Sequence, residues 1–315
     1  MKTGRALIIP GDPAGVGPEI VERWLQRSGQ AALRWAVAGP ESWIATLRQR
    51  YSSARVEWAG WPEEGATWTP GEPSPGAARM ALKGLTWGAT AVREGRYTGL
   101  VTGPVCKDGL VREGFAYPGQ TEFLAAAWGG EPTMAFWGET LKVVLATWHI
   151  PLVAVPSHLN DTVVGRAVER AARLGRWSGT GDPRIAVCGL NPHAGENGLL
   201  GQEEVTWLTP LLDRLGASYP GLATAPQPAD TVFWNARQGH FDVVVALYHD
   251  QGLGPLKTLE FSTACQVTMG LPYLRTSPDH GTAYGLAGKG LADPGSFYRA
   301  VEVMERGMTD NSGPG

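Results

Sequence analysis

Residues 276–297 read TSPDHGTAYGLAGKGLADPGSF, and this glycine-rich stretch is the part of the chain that says most about its fold. A helix rarely contains so many glycines, and glycine is the residue that lets a backbone approach a ligand closely. Room for a planar base or a phosphate is left at Gly281, Gly285, Gly288 and Gly290. Asp279 and His280 add polar groups directly before them. We interpret the stretch as a candidate nucleotide-binding loop, with a glycine-rich connector as the alternative.

The composition limits the class of protein. The chain has 315 residues, of which 43% are hydrophobic and 18% charged, as in a globular protein with one large or two medium α/β domains. A formal net charge of −3 without a long basic run argues against nucleic acid as the main partner. No apolar stretch approaches the roughly 20 residues that span a bilayer. The apolar run near the amino terminus is too short for a signal peptide, and we expect a cytoplasmic protein.

The three cysteines do not form a C-x-x-C pair. Cys106, Cys188 and Cys265 are an odd number and lie far apart in the chain. We therefore predict buried free thiols rather than a disulfide framework or a cysteine zinc site.

Short apolar runs recur between glycine, proline and polar residues. They comprise residues 6–9, 35–38, 99–102, 143–147, 185–188 and 243–247. Apolar runs of this length are typical of strands that are covered on both faces. Helix-like stretches lie between them, such as residues 18–26, where Pro18 suits a first helical position. This alternation predicts an α/β fold with a largely parallel sheet.

Polar motifs follow several of these predicted strands. His149, His193 and His249 come after the runs at 143–147, 185–188 and 243–247. Because ligands in open α/β sheets bind beyond the carboxyl ends of the strands, the three imidazoles are expected at one crevice. Neutral imidazoles suit zinc or another divalent metal. For any single histidine a structural role is about as good an interpretation.

Two aspartates lie near these motifs. Asp250 directly follows His249 and is expected near the site, where it would orient a ligand or move a proton. Asp230 lies in QPADTVF, where we favour a helix-capping role over a contact to a metal-binding histidine.

Two basic residues flank an apolar stretch and are candidate anion binders. Arginine offers a planar fork for phosphate or carboxylate, and lysine adds a point charge. The two residues are Lys257 and Arg275. Solvated surface charge is the alternative for both, and it is the weaker interpretation for Arg275, which lies between LPYL and TSPDHGT.

The glycine-rich loop also resembles a known cofactor site. The order H-G-T-A followed by L-A-G-K-G-L-A-D-P is similar to the adenine-binding loop of the isocitrate and isopropylmalate dehydrogenases. Those enzymes bind a nicotinamide cofactor without the Rossmann motif. Here too, no G-x-G-x-x-G follows a predicted strand and opens a helix.

Seven motifs across nearly the whole chain resemble the 4-hydroxythreonine-4-phosphate dehydrogenase family of vitamin B6 synthesis. In chain order they are IPGDPAGVGPEI (9–20), VTGPVCK (101–107), PGQTEFLA (118–125), GLNPHAGENGLLGQEE (189–204), PADTVF (228–233), YHDQGLGPLK (248–257) and VTMGLPYLRTSPDHGTA (267–283). The resemblance implies a two-domain α/β/α subunit of the isocitrate and isopropylmalate dehydrogenase type, with the active site in the interdomain cleft. It also implies a homodimer. The domains expected are a cofactor-side domain of residues 1–118 plus 262–315 and a metal and dimerisation domain of residues 119–261.

The same resemblance implies residue roles. The metal ligands would be His149, His193 and His249, with His249 supplied by the partner subunit. Substrate-binding positions would be Gln120, Thr121, Lys257, Gln266 and Arg275. Cofactor-binding positions would be Asp279, His280, Gly281, Thr282, Ala283 and Gly288. Candidates for moving the proton are Asp250 and Lys257, together with metal-bound water.

Two substrate positions depart from the family pattern. The family usually has histidine where this chain has Gln120, and asparagine where it has Gln266. Both replacements are polar, but Gln120 can neither carry charge nor act as an acid or base near neutral pH. The departures bear on the identity of the substrate more than on the type of reaction.

The expected activity is the NAD-dependent oxidation of 4-phosphooxy-L-threonine to 2-amino-3-oxo-4-phosphooxybutanoate, which decarboxylates to 3-amino-2-oxopropyl phosphate. NADP is the alternative cofactor; zinc is the expected metal, with magnesium or cobalt as alternatives. A close rival is a dehydrogenase of 4-phosphoerythronate or 4-phosphothreonate. Rivals of other classes are a metal-dependent hydrolase, which would have no use for a dinucleotide site, and a metabolite-binding protein without activity.

Overall fold

The computed structural model describes residues 4–28 and 34–310. The strands in these ranges are β1 (Ala6–Ile9), β2 (Trp35–Pro40), β3 (Glu57–Trp61), β4 (Gly99–Thr102), β5 (Thr133–Trp137), β6 (Lys142–Leu145), β7 (Ile185–Val187), β8 (Val243–Ala246), β9 (Cys265–Met269) and β10 (Leu274–Pro278). The helices are α1 (Gly17–Ser28), α2 (Glu41–Arg50), α3 (Pro75–Arg93), α4 (Lys107–Arg112), α5 (Gln120–Trp128), α6 (Val155–His158), α7 (Asp161–Arg176), α8 (Thr209–Gly216), α9 (Ala229–Arg237), α10 (His249–Glu260) and α11 (Gly295–Met308). None of these helices is long and apolar enough to cross a membrane.

The chain divides into two compact units. The first unit comprises Met1–Pro132 and Cys265–Gly315, and the second comprises Thr133–Ala264. The expected boundary at residue 118 is thus displaced to residue 132, because α5 packs with the first unit. Leu124 joins the hydrophobic core of that unit, and Trp128 Nε1 donates a 2.9 Å hydrogen bond to the carbonyl of Ala89. Burial of these side chains stabilises the packing of α5 with the first unit.

The strands of the first unit follow the order β3-β2-β1-β4-β10-β9. All neighbouring pairs are parallel except β10 and β9. β1 and β4 are fully buried, in agreement with the apolar runs that predicted them. Helix α3 packs Leu85 and Ala89 into the core beneath this sheet.

The strands of the second unit follow the order β5-β6-β8-β7. β6, β8 and β7 are parallel neighbours, whereas β5 pairs with β6 in an antiparallel hairpin. The core of this unit includes Phe136, Val143 and Leu256. The carboxylate of Glu260 holds the hairpin turn by accepting the backbone N–H groups of Glu139 at 2.5 Å and Thr140 at 2.8 Å.

The prediction of a largely parallel α/β sheet is confirmed, but four strands were not foreseen: β3, β5, β9 and β10. Polar residues or glycine interrupt the sequences of β3, β9 and β10. β5 does contain an apolar run, at 134–137, that was not among the predicted strands, and it pairs in an antiparallel hairpin. The cysteines are free, as predicted; Cys188 and Cys265 are buried and Cys106 is partly exposed.

Candidate active site

The three histidine segments leave the carboxyl ends of adjacent parallel strands. His149 follows β6, His249 begins α10 directly after β8, and His193 follows β7. Since β8 lies between β6 and β7, these segments emerge at one edge of the sheet. This is the position where parallel α/β sheets bind ligands.

His149 and His249 lie together within one chain. Their ring centroids are 5.9 Å apart. His149 has a backbone φ of 49°, a left-handed conformation that is uncommon for a residue with a side chain. Strain of this kind persists where the surrounding structure holds it, and it concentrates at functional sites.

Asp250 orients His249. Its Oδ1 lies 2.7 Å from His249 Nδ1, and its side chain is 90% exposed. A carboxylate accepts a hydrogen bond from the Nδ1–H group, which keeps the proton on Nδ1 and leaves the lone pair of Nε2 available for a ligand. The geometry supports the orienting role that was one of the two alternatives for Asp250.

His193 lies in a segment with unusual backbone. All five residues from His193 to Asn197 have positive φ, between 44° and 78°. The imidazole is largely exposed, with Nδ1 3.6 Å from the carboxylate of Glu196. Within residues 4–28 and 34–310, no group of three His, Cys, Asp or Glu side chains is arranged to hold a metal. The chain therefore brings two of the three predicted ligands together.

The buried carboxylate of Glu204 anchors the start of this segment through hydrogen bonds. It is buried, and its Oε1 accepts the backbone N–H groups of Leu190 and Asn191, both at 2.8 Å. Its Oε2 accepts a 3.0 Å hydrogen bond from Asn191 Nδ2. A Cβ added at Gly195 would lie 2.6 Å from that oxygen, so a larger residue at position 195 would require the Glu204 carboxylate to move.

Gln251 links two of the strand-end segments. Its Oε1 accepts the backbone N–H of Leu247 at 2.7 Å, and its Nε2 donates to the carbonyl of Gly189 at 2.7 Å. The buried amide thus ties the start of α10 to the segment that carries His193. Neither Glu204 nor Gln251 was recognised in the sequence, because a polar residue inside a motif carries no sign that it is buried.

The donor chemistry of this edge suits a borderline divalent cation. Two imidazoles are close together, and the proton of one of them is held on Nδ1 by a carboxylate. Nitrogen ligands of this kind suit zinc and leave positions open for substrate oxygen. The contribution of His193 and the origin of His249 from a partner subunit stay predictions.

Four of the substrate-binding candidates lie in the first unit, and three of these form one network. Arg275 is 2% exposed, so the surface-charge alternative is wrong. Its Nη1 donates to Gln266 Oε1 at 2.8 Å, and Gln266 Nε2 donates to Thr121 Oγ1 at 3.2 Å. Burial lowers the pKa of Arg275 to about 10, partly opposed by the nearby carboxylate of Glu122. The guanidinium is still protonated at neutral pH.

Two threonines that the sequence did not single out complete the network. Thr102 Oγ1 accepts from Arg275 Nε at 3.0 Å and from Nη2 at 2.8 Å, and Thr268 Oγ1 accepts from Nη1 at 3.3 Å. Their hydroxyls satisfy a cation that would otherwise be costly to bury. No periodicity could have found them, because they come from different strands.

Gln120 and Lys257 lie outside this network. Gln120 begins α5, and its Oε1 is buried with no hydrogen-bond partner among the described residues. Such an acceptor is costly unless a ligand or water satisfies it. Lys257 belongs to the second unit, where its Nζ lies 5.9 Å from the ring of Phe261.

The glycine-rich loop is anchored to the loop before α1. Val16 donates its N–H to the carbonyl of Thr282 at 2.9 Å, and Tyr284 donates its hydroxyl to Asp12 at 2.7 Å. The Glu19 carboxylate accepts the N–H groups of Gly290 at 3.2 Å and Ala292 at 3.0 Å. The motif at residues 9–20 and the glycine-rich loop are therefore held together by direct hydrogen bonds.

A cavity of about 760 Å³ opens beside this loop in the first unit. Its lining includes Gly288 and Gly290 of the loop and Pro13 and Gly15 of the segment before α1, with Trp43 among its aromatic residues. Gly288 has a φ of +75°, which favours glycine. The size and the aromatic lining suit a planar base with a sugar.

His280 supplies a polar group at the same loop. Its Nδ1 pairs with the carbonyl of Gly281 at 2.9 Å, which places the proton on Nδ1. Its Nε2 is buried and has no hydrogen-bond partner among the described residues. A Cβ atom added at Gly281 would have no neighbouring heavy atom within 4 Å. The loop thus fits a dinucleotide, with an acceptor for a hydroxyl group and open space for the ligand.

Asp279 and Ala283 also belong to this loop. Asp279 donates its backbone N–H to Ser296 Oγ at 2.9 Å, which ties the loop to the first turn of α11. Ala283 has a φ of 43°, another left-handed residue with a side chain.

The capping role favoured for Asp230 is wrong. α9 begins at Ala229 with Pro228 at the cap position and no side-chain cap hydrogen bond. Asp230 is exposed in the first helical turn, where its charge interacts favourably with the helix dipole.

The chain is similar to known proteins over most of its length. A family profile described as "Pyridoxal phosphate biosynthetic protein PdxA" matches residues 30–304. A protein of Ruegeria sp. (strain TM1040) named 4-hydroxythreonine-4-phosphate dehydrogenase is 42% identical over 308 residues, covering 94% of this chain and 94% of that protein.

Solved structures agree over the same length. A crystal structure of 4-hydroxythreonine-4-phosphate dehydrogenase from Klebsiella pneumoniae has a TM-score of 0.77 and 33% identity, covering 97% of this chain and 98% of that one. A terephthalate 1,2-cis-dihydrodiol dehydrogenase from Burkholderia xenovorans LB400 has a TM-score of 0.69 and 25% identity, covering 96% and 98%. These similarities confirm the α/β fold class and the resemblance carried by the motifs. The chain belongs to the PdxA family of pyridoxal phosphate biosynthetic proteins.

Proposed function

We propose that this protein is an NAD-dependent, divalent-metal-dependent 4-hydroxythreonine-4-phosphate dehydrogenase. It oxidises the C3 hydroxyl of 4-phosphooxy-L-threonine to a ketone, and the 3-oxo acid then loses carbon dioxide to give 3-amino-2-oxopropyl phosphate. Zinc is the proposed metal, with magnesium or cobalt as alternatives, and NADP is the alternative cofactor. The name carried by the relatives supports the substrate.

The observation that carries the proposal is the cavity beside the glycine-rich loop. A metal-dependent hydrolase needs activated water but no dinucleotide site. The cavity of about 760 Å³ includes Gly288 and Gly290 in its lining and lies beside the loop, which supports a cofactor there. His280 Nε2 offers an acceptor for a cofactor hydroxyl, and this supports the role proposed for the loop.

His149, His193 and His249 are the proposed metal ligands. A bound divalent cation would supply Lewis-acid activation of the alcohol and the ketone, and NAD would accept the hydride. Through its 2.7 Å contact with Nδ1, Asp250 would keep the Nε2 lone pair of His249 available to hold such a cation. We assign the proton-accepting role to Lys257 in its neutral amine form, with Asp250 and metal-bound water as the alternatives.

The phosphate is the proposed ligand of the Arg275 network. Gln120, Thr121, Gln266 and Arg275 lie in the first unit, and three of them are joined by hydrogen bonds. The unpartnered Oε1 of Gln120 suits a donor such as the substrate ammonium group. A sugar acid with a hydroxyl at that position would offer a neutral donor only.

A homodimer is also proposed. Trp234 is 62% exposed and Leu199 is 81% exposed, and both lie on elements that flank His193. Val153, in the segment after His149, is 88% exposed. Exposed apolar side chains beside a site are typical of a surface that another protein covers. A second copy of this chain is the proposed occupant, and the cytoplasm is the proposed location.

A side-by-side assay tests the reaction. Metal-loaded protein is mixed with NAD and, in turn, 4-phosphooxy-L-threonine, 4-phosphoerythronate and 4-phosphothreonate, and NADH is measured. We expect the first substrate to react much faster, because a site built around one polar group discriminates by about 10⁴ to 10⁵ against an analogue that lacks it. A preference for either sugar acid would overturn the substrate, and no NADH with any of them would overturn the reaction class.

Subunit mixing tests the shared metal site. His149→Ala and His249→Ala proteins are each expected to be inactive. If His249 serves the partner, a mixed dimer has one intact site and regains activity; if it serves its own chain, beside His149, neither site is intact. Exchange is verified with differently tagged subunits, so that an inactive mixture counts against sharing.

A further inference from the structure

The backbone of Leu247, directly after β8, is bonded to two neighbouring parts of the second unit. Its carbonyl oxygen accepts the backbone N–H of Thr147 at 3.2 Å and the hydroxyl of the same residue at 2.7 Å. Its N–H donates to Gln251 Oε1 at 2.7 Å. Thr147 lies two residues before His149, so Leu247 fixes the segment that carries His149 to the end of β8.

The segment that carries His193 is joined to the same point through a side chain. The backbone pairing of β7 with β8 reaches Cys188, whose N–H donates to the carbonyl of Val245 at 2.9 Å. The carbonyl of the next residue, Gly189, accepts a 2.7 Å hydrogen bond from Gln251 Nε2. The Gln251 amide therefore continues the link between the two segments past the end of their backbone pairing.

The orientation of the Gln251 amide follows from its two partners. A backbone N–H can only donate and a carbonyl can only accept, so the amide oxygen faces Leu247 and the nitrogen faces Gly189. All three residues are buried, and loss of the amide would leave a donor and an acceptor without a hydrogen bond. Asparagine is one methylene shorter, and a glutamate carboxylate has no donor. Glutamine is thus the residue that fits both partners.

The helix that begins with His249 lies close against the sheet at this point. A Cβ added at Gly252, the residue after Gln251, would lie 2.8 Å from Val143 and 2.9 Å from Ala246. These two residues belong to β6 and β8. Because the interior is close-packed, this approach leaves little room for the first turn of α10 to move, and it fixes where the Gln251 amide lies.

We propose that Gln251 is a positioning residue for divalent-metal binding. It sets the distance of His193 from His149 and His249, because its amide joins the segments that carry them. Ligands held in place before the ion arrives lose less conformational freedom on binding, and so bind it more tightly. The inference rests on the proposed function in taking the three histidines as ligands. It holds whichever subunit supplies His249, since Leu247 also fixes the His149 segment.

Gln251→Met tests the link. The new side chain has a similar volume but makes neither hydrogen bond, so zinc affinity should fall about tenfold to a hundredfold. The probe is zinc alone, in competition with a chromophoric chelator on the intact protein, and thermal unfolding verifies that the variant is folded. If it is not, Gln251→Asn replaces it, because asparagine keeps the amide but is too short to reach both partners. Unchanged zinc affinity in the folded variant would overturn the inference.

Asp242→Ala is the matched control for a purely structural effect. Arg184 directly precedes β7 and Asp242 directly precedes β8, so this pair joins the same two strands at their opposite ends. Asp242 accepts from the backbone N–H of Arg184 at 2.8 Å and from its guanidinium at 2.9 and 3.0 Å. The control should lower the unfolding temperature but leave zinc affinity unchanged. An equal loss of zinc affinity in both variants would show that Gln251 acts through general stability, and would overturn the inference.

A double-mutant cycle identifies the histidine through which Gln251 acts. His193→Ala should weaken zinc binding, and adding Gln251→Met should then cause little further loss, because the side chain whose position is set has been removed. Losses that multiply in the double variant would mean that Gln251 acts other than through His193, which would also overturn the inference.

The same proteins separate this inference from the proposed function. Wild-type protein that shows the expected coupling in zinc binding but forms no NADH with any of the three substrates would overturn the proposed function alone. Equal zinc affinity in wild type and Gln251→Met, together with NADH formation, would overturn the inference alone. Wild-type protein that binds no zinc would overturn both.

Discussion

The hydroxyl of Tyr284 donates a 2.7 Å hydrogen bond to the buried carboxylate of Asp12, and so joins the glycine-rich loop to the loop that precedes α1. Asp12 Oδ1 also accepts the backbone N–H of Ala14 at 2.9 Å. The two loops border the cavity proposed for the cofactor. Their relative position therefore depends on a contact between side chains that are 272 residues apart in the chain.

Tyr284→Phe should weaken NAD binding by about tenfold to a hundredfold, since it removes one hydrogen bond to a charged group. Metal content should be unchanged, because the proposed ligands belong to the other unit. NAD affinity is measured by fluorescence titration. Tyr97→Phe is the matched control: Tyr97 donates a similar 2.9 Å hydrogen bond to Glu57, and neither residue belongs to the two loops that border the cavity. Equal loss of NAD affinity in both variants would contradict the assignment.

The Tyr97 contact has a predictable pH dependence. Burial, and then the hydrogen bond to Glu57, raise the pKa of Tyr97 to about 12. A raised folded-state pKa means that the stabilisation is complete below the ordinary tyrosine pKa of about 10 and is lost as the pH rises towards 12. The stability difference between wild type and Tyr97→Phe should be constant from pH 7 to 9 and shrink above pH 10, as measured by urea unfolding.

Asp250→Asn should weaken metal binding about tenfold to a hundredfold without abolishing it. An asparagine oxygen can still accept from His249 Nδ1, but it does so without charge. Metal affinity is measured by competition with a chromophoric chelator. Asp230→Asn removes the charge of an exposed aspartate in the first turn of α9 and should leave the affinity unchanged. An unaltered affinity in Asp250→Asn would remove Asp250 from the site.

Glu204→Gln should destabilise the second unit by about 1–3 kcal/mol and reduce metal content. One carboxylate oxygen becomes an NH₂ group that must face either backbone N–H groups or Asn191 Nδ2, all of which are donors. Glu203→Gln is the control, because Glu203 accepts from the Asn191 side chain at 2.8 Å but is only partly buried. Thermal unfolding and metal analysis would contradict the argument if the two variants behaved alike.

Gly195→Ala should cost more stability than Gly239→Ala. Both glycines have positive φ, +78° and +81°, so both variants carry the conformational cost of about 1–2 kcal/mol. Only at Gly195 would the new Cβ also meet Glu204 Oε2 at 2.6 Å, whereas nothing lies within 4 Å at Gly239. Urea unfolding gives the comparison, and equal losses would mean that the Glu204 side chain moves aside freely.

Part of the candidate site followed from the sequence because local patterns determined it. The strands before His149, His193 and His249 were visible as apolar runs, and their parallel pairing places those segments at one edge. Asp250 was placed near the site because it is adjacent to His249. The observed α1, Gly17–Ser28, similarly extends the predicted helix at 18–26 by a few residues.

Other features depended on contacts between distant residues. Thr102 and Thr268 carry no mark of function in the sequence, yet both accept hydrogen bonds from Arg275. The run of left-handed residues from His193 was equally hidden, since His and Ala have no local preference for positive φ. The carboxylate of Glu204, eleven residues after His193, stabilises this segment by accepting the backbone N–H groups of Leu190 and Asn191, which precede it.

By itself the sequence determined the α/β class, the free cysteines, the strand-end positions of the histidines and the glycine-rich loop, because apolar runs and glycine content act over a few residues. Only the tertiary structure decided that Arg275 is buried rather than exposed, that α5 belongs to the first unit, and that Asp12 meets Tyr284. Burial and hydrogen-bond partners depend on which distant segments pack together. The free energy of burying a polar group is set by those partners and not by its neighbours in the chain.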